Sequence, residues 1–439
     1  MHSLSAIYLK QVGSTLVIRV FSVLISLVYV PLVLGYLNQE KYGIWITLTT
    51  VVNWIRLLDV GMGNGMRNKL AEAVTLNQFE KGRVYVSTTY GILGAIFFMV
   101  LLVFYFVNPL LNWQAILNST LISSIELINL TYVVVTLIVI GFILQPVTLI
   151  YAAHGNSVAG GIIQLIISSV SLLMIWLVVK FSTEGNILLL AWIVTGIPVL
   201  IYIAVSAYTF LFKYPHLKPS LKLIKISESK NLIRLSIQFF VVQITATIIM
   251  TSIPFVVAQL FSPNEVTLFN IANSIFTVPV MFIGLIAAPI LPLVTQAYTK
   301  QDYSWIRSML KKMNLFSLLI IVGTILLIII SPFIYRIWIG GQVAIPFKLS
   351  VTIGIYAIII VFMTPFSTFI NGIGKIRILV ILAPLSIGMF IGFSVLLSKL
   401  LNNVIGVPLA LIITSIVGLI VIPIKLNKFI GKKTGSDKS

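Results

Sequence analysis

The chain contains no cysteine and only three histidines among its 439 residues. A disulfide framework and a thiolate metal site are therefore excluded. Acidic residues are also scarce: there are ten Asp and Glu, against 29 Lys and Arg. Charged residues make up only 9% of the chain, whereas a soluble domain carries about 25%. A water-soluble surface cannot be built from this composition.

Long apolar runs take the place of the missing charge. Hydrophobic residues make up 59% of the chain, and the mean hydropathy is +1.11. Runs of about 20 residues span the ~30 Å of hydrocarbon as helices. We therefore predict an all-α integral membrane protein with about twelve spans: Val12–Leu37, Tyr42–Asn64, Val84–Val107, Leu127–Ala152, Val158–Val179, Ile187–Phe212, Leu235–Leu260, Leu268–Thr295, Leu315–Ile337, Phe347–Ile370, Ile378–Leu397 and Val404–Ile424. The first run lacks a cleavage site, so we expect it to be retained.

The net charge of +19 is distributed unequally between the two sides of these spans. Almost all Lys and Arg fall in connections on one side, which the positive-inside rule assigns to the cytoplasm together with both termini. There they meet anionic phospholipids, so we expect lipid contact and no nucleic-acid partner. The opposite side receives only Lys41, Lys180, Arg336, Lys348 and Lys399.

The chain also repeats itself weakly at an offset of about 220 residues. Val30-Pro31-Leu32-Val33 matches Ile253-Pro254-Phe255-Val256, and Gln145-Pro146 matches Thr364-Pro365. Repeats of this kind, with six spans each, predict two six-helix lobes related by a pseudo-twofold axis around a central cavity. The predicted boundaries are 1–212 and 235–426 for the lobes, 213–234 for a basic cytoplasmic connection, and 427–439 for a basic tail.

Three charged residues lie within the predicted spans: Arg19, Arg56 and Asp59. Because charge inside a span costs about 2.5–3.5 kcal/mol, such residues are candidates for function. Both arginines fall roughly 10–12 Å below the cytoplasmic surface, so we expect them to share one depth and one cavity. A guanidinium suits bidentate capture of phosphate or carboxylate. Alternatively, Arg56 and Asp59 neutralise each other, and Arg19 snorkels to the headgroups.

Uncharged polar residues accompany the arginines at helical spacing. Asn53 shares a helix face with Arg56, and Gln238, Asn270 and Asn273 lie on spans of the second half. We expect these side chains to contact a polar substrate, while Asp59 tunes Arg56 or carries a coupling proton. The alternative is that they only hold helices together. The second half has no clear charge deep within its spans.

The sequence shows no paired carboxylates, metal-ligand cluster or phosphate-binding glycine loop, so we predict neither an enzyme nor a cofactor. The sequence resembles the bacterial polysaccharide and O-antigen repeat-unit flippases in three stretches. They are Pro31-Leu32-Val33-Leu34-Gly35-Tyr36-Leu37, Tyr42-Gly43-Ile44-Trp45 and Leu57-Leu58-Asp59-Val60-Gly61-Met62-Gly63-Asn64-Gly65-Met66-Arg67. That family belongs to the multidrug/oligosaccharidyl-lipid/polysaccharide exporter superfamily.

The resemblance implies a flippase in the bacterial cytoplasmic (inner) membrane. Its implied substrate is a polyprenyl-pyrophosphate-linked oligosaccharide, moved from the inner to the outer leaflet by alternating access. Arg19 and Arg56 would then be the cationic cavity residues, and polysaccharide polymerase and export machinery would be partners. Two alternatives stay open: a cation-coupled small-molecule or multidrug exporter of the same superfamily, and a membrane-bound polysaccharide polymerase or acyltransferase.

Overall fold

The computed structural model describes residues 2–59, 62–156, 158–182, 185–225, 237–374 and 377–436. Within these ranges all regular secondary structure is helical. Ten of the described helical segments are long and apolar enough to cross a bilayer. The chain is therefore a multi-pass integral membrane protein, as its composition predicts.

The N-terminal half begins with one long helix and contains several short ones. Its helices are α1 (His2–Leu37), α2 (Gln39–Asn53), α3 (Met62–Thr75), α4 (Phe79–Val107), α5 (Trp113–Leu117), α6 (Ser124–Leu144), α7 (Val147–Ala153), α8 (Val158–Phe181) and α9 (Ile187–Tyr208).

The C-terminal half consists of longer helices. They are α10 (Ile237–Leu260), α11 (Pro263–Thr299), α12 (Tyr303–Trp338), α13 (Phe347–Gly372), α14 (Arg377–Leu401) and α15 (Gly406–Ser436). The seventh predicted span corresponds to α10, whose described apolar part is the shorter helix Thr247–Leu260.

The second predicted span, Tyr42–Asn64, is wrong as a single helix. Helix α2 ends at Asn53, a 3₁₀ helix follows over Trp54–Asp59, and α3 begins at Met62. Three alternate residues of segment 61–65 are glycines, and each glycine disfavours a helix interior by about 1 kcal/mol relative to alanine. The break places Arg56 on the 3₁₀ helix, between two α-helices.

The structure divides into two compact units, Met1–Ile244 and Thr245–Ser439. In the first unit, α6 packs along α9 and α1 packs along α8. In the second unit, α11 packs along α13 and α14 packs along α15. The Cβ that an alanine would add at Gly406 would overlap the backbone of Ser398, so glycine permits the close approach of α14 and α15.

Both units contain the same turn at equivalent places in the sequence repeat. In the first unit the N–H of Gln78 donates to the carbonyl of Ala73 (2.8 Å). In the second the N–H of Asp302 donates to the carbonyl of Ala297 (2.9 Å). The residue before each donor, Asn77 or Gln301, has a left-handed φ of 55° or 59°. The weak sequence repeat therefore corresponds to a repeated backbone geometry.

The repeated prolines differ in their effect. Pro31 and Pro254 both lie inside continuous helices, α1 and α10. Pro146, in contrast, separates α6 from α7, whereas its counterpart Pro365 lies within the continuous helix α13. In the first unit, therefore, two of the predicted spans are interrupted, one after Asn53 and the other at Pro146.

The basic connection after α9 folds back onto the first unit. The amide N–H groups of Ser220 and Lys225 donate to the hydroxyls of Ser87 and Thr88 on α4 (3.1 and 3.0 Å). Arg83 donates through Nε to the carbonyl of Lys218 (3.0 Å), and Leu217 is fully buried. The basic residues of α4 and of segment 213–225 therefore gather at one end of this unit, as their predicted location on one membrane side requires.

Candidate functional site

The interrupted helices of the first unit surround a cavity of about 420 Å³. Arg56 and Asn53, predicted together from the sequence, both line it. The remaining wall comes from α1, α2, α6, α8 and α9: Tyr29, Trp45, Ile46, Thr49, Leu137, Ile138, Gly141, Phe142, Gln145, Gln164, Ile167, Val194, Thr195, Pro198 and Tyr202.

Some polar groups of this wall are already engaged within their own helices. The hydroxyl of Thr49 donates to the carbonyl of Trp45 (2.8 Å), and that of Thr195 donates to the carbonyl of Ala191 (2.7 Å). The side-chain amide of Asn53 donates to the carbonyl of Thr49 (2.7 Å), which leaves its amide oxygen as an acceptor. These three residues help to shape the cavity but offer few donors to a ligand.

Other polar side chains of the wall have no hydrogen-bond partner among the described residues. They are the guanidinium of Arg56, the amides of Gln145 and Gln164, and the hydroxyl of Tyr202. Arg56 and Gln164 are exposed, and Gln145 is half-buried. Because these groups are open and line one cavity, the set is suited to a ligand that bears several hydrogen-bonding groups.

A second, smaller cavity of about 140 Å³ lies against the first. Three residues line both cavities: Arg56, Phe142 and Gln145. The guanidinium carbon of Arg56 lies 6.0 Å from the centroid of the Phe142 ring, a cation–π contact. The other residues that line the smaller cavity are Gly63, Leu93, Phe97, Pro146, Thr148 and Leu149.

The described residues give this double cavity a positive charge. Arg56 is the one ionised side chain among the described residues that line the two cavities, and these described residues include no carboxylate. The side chain of Asp59 lies outside the described residues, so its predicted pairing with Arg56 stays a prediction. A guanidinium among aromatic and amide side chains binds an anion or the anionic part of a larger ligand.

Arg19 lies apart from these cavities. It is exposed on α1 beside the exposed apolar residues Val20 and Phe21, and it lines neither cavity. Tyr29, which does line the larger cavity, is about 15 Å further along the same helix. The structure therefore does not bring Arg19 and Arg56 into one of the described cavities, and the role of Arg19 stays a prediction.

The remaining predicted contacts lie elsewhere. Asn270 and Asn273 are half-buried on α11 in the second unit, where their backbone carbonyls accept hydrogen bonds from Ser274 and Thr277. Gln238 lies on α10, and its side chain falls outside the described residues.

Gln145, Gln164, Tyr202 and Tyr29 were not among the sequence-predicted site residues. Gln145 did stand out as part of the repeat, and Gln164 is the lone amide in an apolar span. Single polar residues of this kind are common between helices, so the sequence alone does not distinguish a ligand contact from a packing contact. Their convergence on one cavity depends on the packing of α1, α6, α8 and α9.

The fold of the chain is similar to that of solved membrane transporters. An inward-facing multidrug resistance MATE family transporter of the MOP superfamily superposes with a TM-score of 0.78 at 14% identity, covering 94% of this chain and 95% of that one. An outward-facing structure of a MATE family transporter gives 0.67 at 15% identity, covering 98% and 96%. The chain therefore has the fold of these transporters.

The sequence is also similar to that of a curated bacterial protein. A protein of Salmonella typhimurium, named "Putative O-antigen transporter", is 22% identical over 386 residues, which are 86% of each chain. No family model matches this sequence.

Proposed function

We propose that this protein is a flippase that carries a polyprenyl-pyrophosphate-linked oligosaccharide from the inner to the outer leaflet by alternating access. The observation that carries this proposal is the cavity of the first unit, where Arg56 lies among the side-chain amides of Gln145 and Gln164 and the hydroxyl of Tyr202. The MATE-like fold and the name of the Salmonella relative support transport and an O-antigen-type cargo.

The chemistry of the cavity suits such a substrate. Arg56 pairs with the negative headgroup, and Gln145, Gln164 and Asn53 hydrogen-bond to sugar hydroxyls. The aromatic rings of Tyr29 and Trp45 offer apolar faces to the sugar ring. Because transport requires release, a single guanidinium with no second cation among the lining residues gives moderate affinity and permits the substrate to leave.

Transport then requires the cavity to face each leaflet in turn. A ligand shifts this equilibrium only by its differential affinity for the two states. Other contacts along the transport path are proposed to come from Arg19, Gln238, Asn270 and Asn273. Asp59 is proposed to tune Arg56 or to carry a coupling proton. Bacterial inner-membrane location, cytoplasmic termini, lipid contact, and association with a polysaccharide polymerase and export machinery are part of the same proposal.

A cation-coupled multidrug exporter is the second candidate, and the likeness to multidrug transporters favours it. Coupling to a cation needs a carboxylate or a similar site, and the described residues that line the two cavities include no carboxylate. Asp59 is the residue on which that alternative would depend. Drug export that requires Asp59 and proceeds without the sugar lipid would establish it.

The flippase proposal is tested with purified protein in liposomes that carry a fluorescent polyprenyl-pyrophosphate oligosaccharide. The accessibility of the fluorophore from the opposite leaflet is followed for wild type, Arg56→Gln and the control Arg336→Gln, whose exposed arginine lies at the end of α12. We expect transport by wild type and by the control, and its loss in Arg56→Gln. Equal transport by Arg56→Gln would contradict the role of the cavity.

A further inference from the structure

The two cavities of the first unit differ in size and lining, although they share Arg56. The smaller one, at about 140 Å³, is close in volume to an engineered cavity of about 150 Å³ that holds one benzene molecule. It therefore admits a group of a few heavy atoms but no sugar ring with its pyrophosphate. The larger cavity has three times that volume.

The smaller cavity has the lining that a compact anion requires. Its donors to an anion are the guanidinium of Arg56 and the side-chain amide of Gln145. The hydroxyl of Thr148 donates to the carbonyl of Gln145 (2.9 Å) and is already engaged. Leu93 and Phe97, each 1% exposed, form an apolar wall of the cavity. A guanidinium forms charge-assisted hydrogen bonds to phosphate oxygens, which are stronger than hydrogen bonds between neutral groups.

The larger cavity has a different character. Its aromatic side chains, Tyr29, Trp45, Phe142 and Tyr202, and its amides, Asn53 and Gln164, are suited to a ring that presents apolar faces and hydroxyls. Its charge comes from Arg56 alone. One guanidinium forms its bidentate contact with one anion at a time. The negative group of a ligand is therefore best held on one side of Arg56, and its uncharged group on the other side.

We propose that the substrate site is divided into two compartments: a phosphate group occupies the smaller cavity, and the adjoining sugar occupies the larger one. Phe142 and Gln145 form the wall that separates them. The inference rests on the proposed function for the identity of the substrate, but the anion compartment itself is testable with inorganic phosphate. The protein would then recognise the phosphate and the sugar joined to it, independently of the rest of the glycan.

The test measures thermal unfolding of the purified full-length protein in uncharged detergent over a range of inorganic phosphate concentrations. A ligand that binds the folded state stabilises it by RT ln(1 + [L]/Kd), so the dependence of the unfolding midpoint on phosphate concentration reports the Kd. Three variants are compared with wild type. Arg56→Gln removes the cation, and Leu149→Trp fills the smaller cavity. Gly141→Leu fills the larger cavity, where a Cβ on Gly141 would meet only Val199 Cγ2 at 3.9 Å.

We expect the apparent Kd for phosphate to rise about tenfold or more in Arg56→Gln and in Leu149→Trp, and to change less than about twofold in Gly141→Leu. Wild-type affinity in Leu149→Trp, or a loss of affinity confined to Gly141→Leu, would place the anion in the larger cavity and overturn the proposal. If Leu149→Trp does not fold, Leu149→Phe replaces it, fills part of the same cavity, and is expected to weaken phosphate binding by about threefold or more.

The same variants in the liposome assay separate this inference from the proposed function. Phosphate binding with the expected pattern, but no lipid transport by wild type, would contradict the flippase and leave the anion compartment standing. Lipid transport by wild type, with phosphate affinity unchanged in Leu149→Trp and in Leu149→Phe, would overturn the division into compartments and leave the flippase standing.

Discussion

The guanidinium carbon of Arg56 lies 6.0 Å from the centroid of the Phe142 ring, and both residues line the two cavities of the first unit. Arg56 is on the 3₁₀ helix that interrupts the second predicted span, and Phe142 is on α6, near the break at Pro146. An arginine in an apolar span is costly unless it has partners or access to water. The ring face and the two cavities provide these conditions without an ion pair among the described residues.

Replacing Phe142 with leucine is expected to weaken phosphate binding by about two- to thirtyfold. The change removes a cation–π contact worth about 0.5–2 kcal/mol and opens the wall between the cavities. Phosphate-dependent shifts of the unfolding midpoint measure the effect. Phe142→Tyr keeps the aromatic face and serves as the control, so a similar loss in both variants would argue against the contact.

Arg56→Lys is expected to retain only part of the transport activity, because lysine keeps the charge but loses the planar two-point donor geometry. Arg19→Gln should reduce transport less than Arg56→Gln does, since Arg56 lines both cavities and Arg19 lines neither. Initial rates in liposomes, normalised to inserted protein, provide the comparison. Equal losses from Arg19 and Arg56 would show that Arg19 contacts the substrate in another conformational state.

Gly185→Ala is expected to destabilise the protein by about 1–3 kcal/mol, because the added Cβ would overlap the backbone carbonyl of Tyr36. The carbonyl of Gly185 also accepts a hydrogen bond from Lys41 Nζ (2.9 Å), which fastens the first turn of α2 to the connection between α8 and α9. The unfolding midpoint in detergent reports the change. Gly94→Ala on α4, where a Cβ meets no heavy atom within 4 Å, is the matched control and should be neutral or stabilising.

Asp302 is expected to stabilise α12 in a pH-dependent manner. Its carboxylate accepts hydrogen bonds from the backbone N–H of Trp305 and the hydroxyl of Ser304 (both 2.9 Å), which lower the pKa of Asp302 below its ordinary value of 3.8. A lowered folded-state pKa gives stability that is present above the unfolded-state pKa and is lost as the pH falls through the folded-state pKa.

Asp302→Ala should therefore lower the unfolding midpoint at neutral pH, and the difference from wild type should vanish in strong acid. Asp302→Asn retains a capping acceptor without the charge, so its unfolding midpoint at neutral pH should lie between those of Asp302→Ala and wild type. Unfolding curves recorded at several pH values test both variants. A deficit of Asp302→Ala that persists unchanged in strong acid would show that the carboxylate charge is not its cause.

The repeated features show how far local sequence predicts structure. Matching segments about 220 residues apart adopt the same left-handed turn at Asn77 and Gln301, because turn geometry depends on neighbouring residues. The same matching segments did not predict that Pro146 divides a helix while Pro365 leaves one intact. Whether a proline interrupts a helix depends on the groups that surround its freed carbonyl, and these come from other helices.

The sequence by itself determined the membrane class, the position of most spans, and the presence of Arg56 and Asn53 within one of them. Apolar run length and the cost of intramembrane charge are local properties, so a single chain reveals them. Only the tertiary structure decided that Gln145, Gln164 and Tyr202 join Arg56 at the cavities while Arg19 stands outside them. These residues are far apart in sequence, and their proximity is set by how the helices pack, which no local pattern encodes.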